Sequence, residues 1–305
     1  MSIKNYKVAA ALAIFCTLLW GTAFPFIKVG YAEFGIAAND IGSKLLFAGA
    51  RFTLAGIMVL LIFLVKNKRL PTIEKSGILP VMLLGSVQTF GQYIFTYIGI
   101  GFTSGANTSV ITACATFFTV LFASLFFKSD KLNVCKIIGC ILGFCGVLCV
   151  NSGGGVTADT LFGDFMILMS TLSAAAGNFI SKGIVRDREP ISVTGFQLSF
   201  GGILLLIAGF VTGGKLDFSS IKGLLVLLWL AFVSAAAFAI WTALLKHHPA
   251  SRICVFNLLV PVFGTLLSGI MLGESVFGIE MIVSVVLICA GIFISNMQIK
   301  KRCER

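Results

Sequence analysis

Acidic side chains are scarce, with twelve Asp and Glu in 305 residues and two histidines. No HExxH, no phosphate-binding loop and no pair of deep carboxylates is present. His247 and His248 are adjacent, and adjacent positions on a helix do not face each other. An enzyme would need a nucleophile–base pair or a metal cluster. The chain is therefore read as having no catalytic residues, no metal and no cofactor. Charge of either sign is also thin, at 11% against 58% hydrophobic residues, too little polar surface for a soluble domain of this length. The alternating ten-residue segments of a membrane β-barrel are missing.

What is present is a series of apolar runs, each about 20 residues long, enough to cross a bilayer core of roughly 30 Å. The mean hydropathy of +1.03 agrees. The spans are read at 8–29, 43–65, 77–98, 102–127, 132–150, 161–182, 190–212, 221–245, 249–272 and 276–297. The expected fold is all-α, with ten transmembrane helices. The first run is too long for a cleavable signal peptide and is read as the first span.

The net charge of +11 invites a nucleic-acid reading, but the positions argue otherwise. With the N-terminus inside, 18 of the 23 Lys and Arg fall on the inner side. Lys28, Lys44, Lys215 and Lys222 fall outside, and Arg51 lies within a span. This is the positive-inside bias of a membrane protein. Both termini are expected in the cytoplasm and no nucleic-acid partner is expected. The partners are the lipid bilayer and a small-molecule substrate, for a monomer or homodimer. Four of the nine cysteines, Cys135, Cys140, Cys145 and Cys149, share the fifth span with no zinc-type spacing. They read as small packing residues.

The chain reads as two copies of one unit. GVLCVN at 146–151 matches GIFISN at 291–296, an offset of 145. AFPFI at 23–27 matches AGNFI at 176–180, an offset of 153. The expected organisation is a first five-helix repeat over 1–150, a Gly-rich linker over 151–160, a second repeat over 161–297 and a basic cytoplasmic tail over 298–305. Five is odd, so the second unit enters the membrane from the opposite side. Lys128 and Lys131 after the fourth span read as inside, while Glu274 after the ninth reads as outside. Inverted repeats are common in secondary transporters, which bind substrate near the midplane between the repeats.

Polar residues inside spans are costly unless they face the bundle interior or a cavity. Gln88, Gln92 and Thr96 fall at i, i+4 and i+8 on one face of the third span, flanked by Tyr93 and Tyr97. Thr108, Thr112, Thr116 and Thr119, with Asn107 beside them, make a stripe on the fourth span. Ser170, Ala174 and Asn178 do so on the sixth, Thr194, Gln197 and Gly201 on the seventh, and Asn257, Pro261, Gly264 and Ser268 on the ninth. Hydroxyl and small residues also serve plain helix packing. Pro25 and Pro261 each free the carbonyl four residues back, of Gly21 and Asn257. Gly21, Pro25 and Pro261 are therefore hinge or gating candidates, with a packing kink as the other reading. Arg51 is the one charge well inside a span, and an anionic substrate group, the glutamines or backbone carbonyls could compensate it. The substrate-binding candidates are Trp20, Phe24, Arg51, Gln88, Gln92, Tyr93, Asn178, Trp241 and Asn257.

WGTAF at 20–24, Arg51 in the second span and VPVFGTLLSGIMLGESV at 260–276 resemble the EamA-type drug/metabolite transporters. The resemblance covers both repeats. It implies a ten-helix carrier of a bacterial or archaeal inner membrane, with both termini inside, that moves small metabolites, often amino acids or their derivatives. The expected function is a secondary transporter, in the exporting direction, working by alternating access. An uptake permease or exchanger for a nucleobase, vitamin or drug-like amine is the alternative, and a channel or non-transport scaffold a remote one. The first repeat departs from the family pattern, with Thr116 in place of proline and FKSDK in place of a Gly-Glu pair.

Overall fold

The structure is a computed structural model that describes residues 3–37, 39–100, 102, 105–126, 132–150, 158–272 and 279–296. Among these residues there is no strand, and ten helical elements follow one another. They are α1 (Tyr6–Glu33), α2 (Ile41–Asn67), α3 (Lys75–Ile100), α4 (Gly105–Phe126), α5 (Val134–Val150), α6 (Ala158–Val185), α7 (Pro190–Val211), α8 (Ile221–His247), α9 (Ala250–Leu272) and α10 (Ile279–Asn296). The boundaries fall within a few residues of the hydropathy spans. Among the described residues, α1, α2, α3, α7, α8 and α9 are long and apolar enough to cross a membrane, and α4, α5 and α10 hold shorter apolar stretches. Of the linker predicted at 151–160, residues 151–157 lie outside the described residues and 158–160 already belong to α6. Lys128, Lys131, Glu274 and the tail also lie outside the described residues, as do the side chains of Asn107 and Ser268.

Local chemistry sets the helix starts. Asn5, Asp40, Glu189 and Ser220 each accept a bond from a backbone N–H of the first turn, which satisfies one of the orphan donors there. Pro190 follows its cap at a position where its missing N–H costs nothing. After α7 the chain turns through Gly213, whose φ of 78° suits glycine.

Two helices are not uniform. In α3 the segment Gly85–Gly91 is a π-helix. In α9 the segment Val255–Leu258 winds as a 3₁₀-helix, one turn before Pro261. α1 differs from the break expected at Gly21–Pro25. It is continuous from Tyr6 to Glu33, and Pro25 is buried within it. The flanking turns continue on either side of the one missing N–H, so a proline here need not open the helix.

The helices pair in a recurring way. α2 lies against α7 along a glycine seam, with Gly42, Gly49 and Gly56 on one helix and Gly195, Gly202 and Gly209 on the other. Each set repeats every seven residues, which keeps glycine on one face. A Cβ on Gly49 would stand 2.6 Å from the backbone nitrogen of Leu206, and one on Gly202 would stand 2.5 Å from that of Thr53. Small residues let membrane helices approach backbone to backbone. The seam is antiparallel, because Gly42 meets Gly214, Gly49 meets Leu206, Gly56 meets Ser199 and Leu60 meets Gly195. α5 and α10 form a second antiparallel seam, where Gly139 meets Gly291 and Gly146 meets Ser284. Around these seams, α1 packs on α8 and α9, and α6 packs on α3 and α4.

Candidate functional site

The predicted polar faces of α3 and α6 meet each other. Nε2 of Gln88 lies 3.5 Å from Oδ1 of Asn178, and Thr96 Oγ1 lies 2.6 Å from Ser170 Oγ. The two pairs run in opposite directions along the two helices. Gly177 makes room for the Gln88 side chain, whose Cβ is 2.5 Å from where a Cβ on Gly177 would stand. The π segment presents Thr89 to α7, where its hydroxyl donates to Gln197 Oε1 at 2.9 Å, while Gln88 reaches α6. One extra residue per turn is a local irregularity that recurs at functional sites.

Asn178 Oδ1 also accepts from Nε1 of Trp241 at 3.2 Å. Gln88 and Trp241 are 153 positions apart, the interval that also relates Gly42 to Gly195 and Gly49 to Gly202. Two residues of α3 and α8 separated by that interval thus converge on one side-chain oxygen. Trp241 is 2% exposed, so it is part of the core and no interface anchor. Trp20 packs edge-on against Trp241 at a ring separation of 5.1 Å and against Phe238 at 5.4 Å. Phe238 in turn meets Phe52 at 6.3 Å, and Phe52 meets Tyr93 at 4.4 Å. An aromatic lattice therefore links α1, α2, α3 and α8.

Arg51 lies at the far end of this lattice. Its guanidinium sits 4.8 Å from the Phe52 centroid, and its Nε donates to Ser234 Oγ at 2.9 Å. Placing Arg at a helix centre costs about 2.5–3.5 kcal/mol on insertion scales. A hydrogen bond to a charged group returns about 1.5–3 kcal/mol, and a desolvated cation–π contact about 2 kcal/mol. The two contacts therefore offset the charge without an acid. Sequence reasoning missed Ser234, Phe52 and Phe238. A serine among apolar residues near the middle of α8 was the only available signal.

The remaining candidates separate. Gln92 is half-buried and takes the Thr96 hydroxyl on its backbone carbonyl at 2.8 Å. Asn257 sits in the 3₁₀ turn of α9 with its Oδ1 buried and unpartnered among the described residues. Thr116 donates to the Cys254 carbonyl at 3.3 Å, tying α4 to the same irregular segment. Phe24 stands apart from the amide cluster, half exposed, with its ring 2.8 Å from where a Cβ on Gly264 would be. Gly21 does the reciprocal task, since a Cβ there would stand 2.5 Å from Phe263 Cβ. Gly21, Phe24, Phe263 and Gly264 together make the α1–α9 contact. The Gln197 and Gly201 face of α7 is occupied by packing on Thr89.

Known proteins bear on this arrangement. "Uncharacterized transporter YoaV" of Bacillus subtilis is 28% identical over 295 residues, covering 94% of this chain and 96% of its own. A Salmonella typhimurium protein named "Probable amino-acid metabolite efflux pump" is 30% identical over 299 residues, covering 93% of each chain. One crystal structure superposes with a TM-score of 0.79 at 18% identity, covering 95% of this chain and 96% of its own, and shares the fold. The family model for the EamA-like transporter family matches twice, at residues 7–152 and 161–297. The chain is accordingly a multi-pass membrane protein of the EamA-like transporter family.

Proposed function

We propose that the protein is a secondary transporter of a small metabolite, an amino acid or a derivative of one, working by alternating access between two inverted five-helix repeats. The observation that carries this reading is the convergence of Gln88 and Trp241 on Asn178 Oδ1 beneath Trp20. Amides fix the orientation of a ligand and aromatics give it shape.

The packing supports the inverted arrangement. Adding 153 to Gly49 gives Gly202, and subtracting it from Leu206 gives Thr53; Gly49 meets Leu206 and Gly202 meets Thr53. Gly56–Ser199 and Leu46–Gly209 exchange in the same way. With an offset of 145, so do Gly139–Gly291 and Gly146–Ser284. Contacts that map onto themselves under exchange mark a two-fold relation. Because the paired helices are antiparallel, the axis lies across them, and so in the membrane plane. The match of one family model to both halves supports two copies of one unit.

Export is the favoured direction, on the efflux name of the Salmonella relative. The cytoplasmic placement of both termini rests on the distribution of Lys and Arg. Reporter fusions at each terminus, active only inside or only outside, test that placement. The function is tested with purified protein in liposomes preloaded with single amino acids. Saturable counterflow for a related group of them is expected. Flux equal to that of empty liposomes for every amino acid and derivative would overturn the reading.

A further inference from the structure

Arg51 lies ten residues into α2, about 15 Å along the helix, and is 2% exposed. A guanidinium carries five N–H donors in a rigid planar fork. Nε–H goes to Ser234 Oγ. Ser234 spends its own proton on the Leu230 carbonyl at 3.0 Å, so it meets Arg51 as an acceptor. Among the described residues the four N–H bonds on the terminal nitrogens have no acceptor, and no Asp or Glu pairs with the charge. A tie between α2 and α8 needs only the one bond that Nε makes. The fork is left over.

The surroundings suit an anion. Tyr31 of α1 and Tyr93 and Tyr97 of α3 lie within electrostatic reach of Arg51. The Tyr93 ring rests on Phe52, the same ring that carries the guanidinium. Tyrosine hydroxyls can donate to an anion. Among the described residues the acids fall at or near span ends or in loops, and none brings a carboxylate to this depth.

We propose that Arg51 is the anion-reading end of the transport site and takes the carboxylate of a small monocarboxylate substrate on its two terminal nitrogens. A guanidinium fork matches a planar carboxylate bond for bond, which a lysine ammonium cannot do. Tyr93 stands beside it to complete the contact. The aromatic lattice from Phe52 through Phe238 to Trp20 then runs along the ligand toward Asn178. One Arg and one carboxylate make a neutral loaded site, so polyanions are disfavoured. The ammonium group of an amino acid meets ring faces and amide oxygens, because no acid is there to take it. The assignment rests on the transporter reading above and names the group that its substrate must carry.

The test compares each amino acid that stabilises the purified protein with its own carboxamide, which keeps shape and ammonium but loses the anion. Thermal shift and liposome counterflow are read for the wild type, R51K and R51Q. The acid is expected to bind at least tenfold more tightly than the amide in the wild type. R51Q is expected to lose that preference, with the acid weakened at least tenfold and the amide little changed. R51K, charged but unforked, falls between. Equal binding of acid and amide by the wild type overturns the inference with transport intact, and needs no variant to fold. An R51Q protein that melts cooperatively and still prefers the acid overturns it as well. Absence of any response in the wild type would instead overturn the transporter reading, and this assignment with it.

Discussion

The indole nitrogen of Trp241 lies 3.2 Å from Oδ1 of Asn178. An indole N–H can only donate, so this contact alone fixes which end of the Asn178 amide is oxygen. Gln88 must then offer its nitrogen, which leaves Asn178 Nδ2 and Gln88 Oε1 as the groups that can meet a ligand.

Trp241→Phe keeps a ring against Trp20 and removes the donor. Asn178 Oδ1 keeps the 3.5 Å contact from Gln88, so the loss is one hydrogen bond, about 0.5–1.5 kcal/mol. The melting temperature is expected to fall and counterflow to drop further than the change in folded fraction explains. Unchanged melting and unchanged counterflow would remove this pair from the site.

Deleting Val87 from the π segment is expected to let Gly85–Gly91 relax to an α-helix. The π turn absorbs one residue more than an α turn, so Gln92, Tyr93 and Thr96 would stay near their present faces. Gln88 and Thr89 inside the segment would lose the offset that sends one to α6 and the other to α7. The helix gains regular hydrogen bonds, so folding survives while substrate binding is lost. Retained binding, measured by thermal shift, would show that the irregular turn serves packing alone.

Gly21 and Gly264 make a contrasting pair on the α1–α9 contact. A Cβ on Gly21 meets Phe263 Cβ at 2.5 Å, an atom held by the backbone, whereas one on Gly264 meets the half-exposed Phe24 ring, which can swing. Gly21→Ala is expected to destabilise by about 1–3 kcal/mol. Gly264→Ala is expected to be near neutral, because alanine favours helix over glycine by up to about 1 kcal/mol. Denaturant melts that rank the two in the reverse order would contradict the contact.

Asp40 links the α1–α2 and α7–α8 loops through one serine. The Ser43 hydroxyl accepts from the Lys215 backbone N–H at 2.8 Å. The side-chain hydrogen bond from Ser43, with its backbone N–H second, holds the Asp40 carboxyl below its ordinary value. A lowered folded-state value means stability that is fully present above about pH 4, the unfolded aspartate value, and lost as pH falls through the folded one. Asp40→Asn keeps the helix cap and removes the titration. Above about pH 5 the variant should melt near the wild type, and below about pH 4 the wild type alone should lose this increment. Parallel melting curves down to pH 3 would exclude Asp40 as a source of acid sensitivity.

Much of this was legible in the chain. Hydrophobic length sets the spans, since a bilayer core of roughly 30 Å leaves little freedom in helix length. The polar faces of α3 and α6 were visible as residue spacing, and they meet as Gln88–Asn178 and Thr96–Ser170. The seven-residue glycine repeats on α2 and α7 are also in the chain, although only the packing shows that one faces the other. Sequence determined these features because each depends on the periodicity of a single helix. Tertiary structure alone decided the rest. It supplied Ser234 to Arg51, brought Trp241 to Asn178, kept α1 continuous through Pro25 and placed the π turn at Gln88. Those outcomes depend on which side chain of another helix arrives opposite, and a helix's own periodicity carries no information about its neighbour.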